Sequence, residues 1–230
     1  MSPRSNNQPV GLGELVRLIP TLAVMVITNP VSFFREMPRK GGFFEPIVFV
    51  AAMGVIAGIV AALLSLFGLG AYHSFAMALA SIVYTPIIAV VMGFIIGAIL
   101  FIIWKVMGSQ ESYETAFRCA AYASAISPIT TILNIIPFIG GVIGLLWGTY
   151  LMVIASSEVH NIRRKTAWIV FGIIFGILAI ITITSQFAAR KMKRIAEEYR
   201  EEMEQQDMTQ EEMKKAAEEF MKKMQKEIDR

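Results

Sequence analysis

Apolar residues run through this chain in long blocks, and polar residues gather at the joints between them. The blocks cover roughly residues 46–68, 76–104, 118–137, 138–156 and 167–188. Each reaches or approaches the ~20 residues that a helix needs to cross ~30 Å of hydrocarbon. Backbone N–H and C=O groups find no water partner there, so each block is predicted to be helical. The expected fold is all-α, a polytopic membrane protein with a bundle of five transmembrane helices over residues 46–188. Residues 1–45 form an N-terminal interfacial segment, and residues 189–230 form a charged, amphipathic helical tail.

The shorter patterns refine this picture. Residues 11–28 are apolar but broken by Glu14, Arg17 and Pro20, which predicts an interfacial amphipathic helix. The next segment, NPVSFFREMPRKGGFFEP, is rich in turns, bases and aromatics. Phe33, Phe34, Phe43 and Phe44 suit the headgroup region, and Arg35, Arg39 and Lys40 suit an anionic leaflet. Residues 71–104 would make a helix of about 51 Å, so a kink at Pro86 or a surface-lying first half is expected. In the tail, Met192, Ile195, Ala196, Tyr199 and Met203 recur at helical spacing. Asp207 and Thr209 interrupt the stripe, and Thr209–Glu212 reads as a capping box opening a second helix. Met213, Ala217, Phe220, Met224 and Ile228 form that second stripe, a candidate surface for a protein partner or for self-association.

Charge sets the orientation. From Arg190 onward the chain holds 11 of its 21 basic and 12 of its 18 acidic residues, leaving ten basic and six acidic before it. Those ten bases fall on one side of the predicted spans, and the connections at 69–75 and 136–141 carry no Lys, Arg, Asp or Glu. The positive-inside rule therefore predicts a cytoplasmic N-terminus. Five spans then place the tail outside, against the preference of Arg190, Lys191, Lys193 and Arg194. A cleavable signal peptide is not predicted, and the first span is expected to act as its own signal anchor.

Little in the composition suggests catalysis. No phosphate-binding loop, zinc-protease motif or nucleophile elbow occurs, and no catalytic, metal or cofactor site is predicted. The single cysteine, Cys119, reads as a core thiol, and no basic patch of the nucleic-acid kind is present. G-x-x-x-G pairs such as Gly54/Gly58 and Gly172/Gly176 predict close helix packing. Two constellations stand out. Arg118 lies just inside the third block and needs a partner, for which Glu45 and Glu114 are candidates and snorkelling is the alternative. Ser127, Pro128, Thr131, Asn134 and Pro137 give that block a kinked, polar character, suited to a substrate path or to ordinary interhelical hydrogen bonds.

The stretches NPVSFFREM (29–37), GGFFEP (41–46), YETAFRCAAYASAISP (113–128), IIPFIGGVIGLLWGTYLMVIASSEVH (135–160) and KTAWIVFGI (165–173) resemble the Yip family. That resemblance implies five spans, a cytoplasmic N-terminus and a role in membrane organisation or trafficking without known catalysis. In eukaryotes the family interacts with Rab-type GTPases. The short N-terminal region implies a prokaryotic member in the cytoplasmic membrane, and the charged tail departs from the family pattern. The expected function is non-enzymatic membrane organisation or protein scaffolding, with anionic lipid headgroups as partners. The alternative is a small transporter, channel or lipid scramblase using the third span.

Overall fold

The computed structural model describes residues 11–69 and 74–228, with part of the side chains between Phe75 and Ile228 not included. His73 and the side chains of Met213, Ala217, Phe220, Met224 and Ile228 lie outside that description. Of the described residues, 85% are helical, and no strand occurs among them. The helices are α1 (Leu12–Thr28), α2 (Pro30–Glu36), α3 (Phe44–Leu66), α4 (Phe75–Val106), α5 (Tyr113–Ala123), α6 (Ser127–Leu133), α7 (Ile139–Glu158) and α8 (Arg164–Ile228). A 3-10 turn, Ser124–Ile126, joins α5 to α6. By contact the chain divides into two units, Met1–Thr182 and Ile183–Arg230.

Four helices are long and apolar enough to cross a membrane: α3, α4 from Ala76, α7, and α8 from Arg164 to Glu197. The pair α1 and α2, bent by 120°, qualifies jointly as a broken span or a re-entrant loop. The bend falls at Asn29, whose side chain accepts the Ser32 N–H at 3.4 Å, with Pro30 opening the new helix. The chain is thus an integral membrane protein. Its outward residues, among them Ile87, Ile95, Ile99 and Ile173, are exposed and apolar, as lipid requires.

Two expectations are corrected. The third block, 118–137, is not one helix: it consists of most of α5, the 3-10 turn, α6 and a turn. Pro128 has no N–H to continue the ladder and its ring crowds the preceding turn, so the helix restarts there with Pro128 in its first positions. The Ser124 carbonyl, which an N–H at position 128 would have bonded, accepts the Ser127 N–H instead, and Thr130 Oγ1 and Thr131 Oγ1 both donate to the Ser127 oxygen at 3.0 and 2.8 Å. The second correction is in the tail, where α8 runs unbroken through Asp207–Glu212. A capping box satisfies orphan N–H groups only where a helix begins. Within a continuous helix the carbonyls one turn earlier already accept them.

Close packing of the spans relies on glycine. A Cβ on Gly54 would stand 2.6 Å from Pro86 Cα, and one on Gly58 would stand 2.9 Å from the Ser81 carbonyl oxygen. Helices α3 and α4 therefore meet backbone to backbone, where dispersion holds them together in lipid. Along α7, Gly144 packs on the Thr130 methyl and Gly148 faces Ile126. Cys119 Sγ lies 3.9 Å from His160 Nε2 beyond the end of the same helix. The segment from α5 to α6 thus runs antiparallel to α7.

Candidate functional site

The ends of α2, α4 and α7 and the starts of α3, α5 and α8 converge on one face of the bundle, where charged side chains tie the loops together. The centre is Arg118 on α5, whose side chain is 0% exposed. Its Nη2 donates to Glu45 Oε2 at 2.9 Å and its Nη1 donates to the Gly42 oxygen at 2.8 Å. Glu114, the other candidate partner, instead accepts the Gly42 N–H at 2.7 Å. Both backbone groups of Gly42 are therefore held by charged side chains of α5. Gly42 adopts φ +81° and Gly41 φ +137°, conformations that a side chain at either position would strain. Arg118 Nε is buried with no hydrogen-bond partner, a cost of about 1–3 kcal/mol that the rest of the clasp offsets.

Further ties surround this clasp. Arg39 Nη1 donates to Glu111 Oε1 at 2.6 Å, and Thr115 Oγ1 donates to the Arg39 carbonyl at 3.0 Å. Ser112 caps α5 by accepting the Thr115 N–H at 3.3 Å, which fixes the helix start that presents Arg118. Arg35 Nε donates to Glu158 Oε2 at 2.9 Å, linking α2 to α7, and Arg164 approaches the same carboxylate at 3.9 Å.

A buried polar staple lies beneath. Trp104 Nε1 donates to Ser156 Oγ at 2.8 Å, and Ser156 Oγ in turn donates to the Met152 carbonyl at 2.6 Å. The Trp104 ring stacks on His160, with centroids 3.8 Å apart and an interplanar angle of 22°. Ser109 Oγ accepts the Glu111 N–H at 3.2 Å and lies 2.8 Å from His160 Nδ1. Burial, with Arg39 and Lys105 nearby, pushes the His160 pKa down to about 3. The imidazole is neutral at physiological pH.

The expected leaflet anchors divide. Phe33 and Phe34 do not face headgroups: they are buried in the core, where Phe33 packs edge-on against Tyr122 with centroids 5.1 Å apart. The cause is the 120° bend, which turns the apolar face of α2 inward and leaves Arg35 on the outside. Phe43 is half-buried, packed against Phe94 and Tyr113 at tilted angles and edge-on against Phe117. Phe44, Arg35, Arg39 and Lys40 are exposed. Ser127, Pro128, Thr131, Asn134 and Pro137 lie away from this face, in α6 and the turn after it, with Asn134 and Pro137 exposed. The Trp104–Ser156 and Ser109–His160 pairs carry no mark in the sequence, because partners about 50 residues apart meet only in the folded bundle.

Residues 24–185 match the family model described as the Yip1 domain. No curated protein and no solved structure matches the chain. Among the described residues, no group of three or more His, Cys, Asp or Glu is placed to hold a metal ion.

Proposed function

This chain belongs to the Yip1-domain family, and from that premise we propose that it is a non-enzymatic membrane organiser or protein scaffold whose working surface is the clasped face. One observation carries the reading. Three loops are tied together: that between α2 and α3 by the Arg118–Gly42 contact, that between α4 and α5 by the Arg39–Glu111 pair, and that between α7 and α8 by the Ser109–His160 contact. Such a face keeps its shape without a partner and loses little conformational entropy on engaging one. Arg35, Arg39, Lys40, Arg163 and Lys165 are exposed around it, which suits anionic headgroups or an acidic protein surface. By the positive-inside rule this face is cytoplasmic, since the connections at the opposite end carry no basic residue.

Transport through the third segment gains no such support. The hydroxyls of Ser124, Thr130 and Thr131 each donate to a carbonyl three or four residues earlier in the same segment. The test is affinity purification from native membranes, comparing the full chain with one truncated after Ala189. A stoichiometric protein partner retained by the membrane domain supports scaffolding through the clasped face. Absence of any partner, together with solute flux or lipid scrambling in reconstituted liposomes, would overturn it.

A further inference from the structure

The continuity of α8 changes the meaning of the tail. An interruption at Asp207–Thr209 would leave two short, separate stripes, but the helix passes through without a break to Ile228. The two stripes then fall into one register. Met192, Ala196, Tyr199 and Met203 continue through Gln206 and Gln210 to Met213, Ala217, Phe220 and Met224, with spacings of four and three in strict alternation. That is a seven-residue repeat sustained for nearly five heptads, with Ala196, Met203, Gln210, Ala217 and Met224 at the a positions and the others at d. A seam repeating every 3.5 residues stays on one side of a helix only if the helix supercoils about a partner.

Charge is excluded from this seam. Of the 39 residues from Arg190 to Ile228, 21 are charged, yet none of them occupies an a or d position between Met192 and Met224. We propose that the tail is a parallel, two-stranded coiled coil formed with a second copy of this chain. The second copy is favoured by the centre of the seam. Gln206 and Gln210 occupy successive d and a layers, and a glutamine amide carries both donor and acceptor, so it pairs with its own equivalent across a two-fold axis. Polar layers of this kind fix register at some cost in stability. Two copies with the same membrane topology send their tails out on the same side, which makes the pairing parallel.

Disulfide trapping of the full chain in native membranes tests this. In a Cys119→Ser background, single cysteines replace Tyr199, Gln206, Met213 or Phe220 on the seam, and Glu201, Met208, Lys215 or Lys222 on the opposite side of the repeat. Parallel, in-register pairing predicts that the first set forms homodimers at least tenfold faster than the second, in a pattern repeating every seven residues. Met213→Lys combined with Phe220→Lys, read by cross-linking at Gln206→Cys, should abolish trapping while the membrane domain keeps its melting temperature. Equal trapping at both sets, none at either, or seam cysteines that capture a different protein would each overturn the proposal.

Discussion

Arg118 and Glu45 form an ion pair whose halves are unequal, because the guanidinium is 0% exposed and the carboxylate 34%. Removing the carboxylate strands a buried charge, whereas removing the guanidinium leaves a carboxylate that still reaches water. Glu45→Ala should therefore lower stability in detergent by about 3–5 kcal/mol, and Arg118→Met by clearly less. Thermal melting of the two variants and the double mutant checks this, with the double mutant recovering part of the Glu45→Ala loss. A larger loss for Arg118→Met would reverse the assignment of which partner is stranded. His160 makes a second prediction, in pH. Its folded pKa, about 3, lies below the ordinary 6.5, so the unfolded chain binds the extra proton between those values. Its contribution is complete above pH ~6.5 and declines as pH falls toward ~3. Melting temperature should drop on acidification over that window, and His160→Gln should show a shallower slope.

Helices α3 and α8 carry the same G-x-x-x-G spacing in different surroundings. Gly54 meets the Pro86 backbone, while Gly172 and Gly176 meet nothing within 4 Å. Gly54→Ala should separate α3 from α4 and cost several kcal/mol, since neither backbone can yield. Gly172→Ala should be neutral or stabilising by up to ~1 kcal/mol through helix propensity; detergent melting of both variants distinguishes them. The spans themselves were legible because lipid demands apolar residues on the outside as well as in the core, which writes each span into the sequence directly. The need for a partner at Arg118 was legible for a related reason, since a charge inside an apolar block is costly alone, but the choice among Glu45, Glu114 and snorkelling was made only by the fold. Other features were not. Phe33 and Phe34 beside Arg35 read the same whether the aromatics meet headgroups or a protein core, and only the bend after α1 decides between them. Pro128 announced a disturbance but not its form, a 3-10 turn and a restarted helix. Asp207 and Thr209 suggested a helix end that the continuous α8 overrides.

At the scale of the whole molecule, the account depends on one charged face. Lys40, Gln110 and Arg163 stand in three different loops of that face, and Gly68 and Pro137 stand in the uncharged connections at the other end. The chain has a single native cysteine, Cys119, which is buried, so a Cys119→Ser background accepts single reporter cysteines. The decisive measurement is labelling of those five positions with a membrane-impermeant thiol reagent in right-side-out and inverted vesicles. Cysteines at Lys40, Gln110 and Arg163 should label only from the cytoplasmic side, and those at Gly68 and Pro137 only from the opposite side. If any one of the three loop positions labelled from the side opposite to the other two, the clasped face would not be a single surface and the scaffold reading would fall with it.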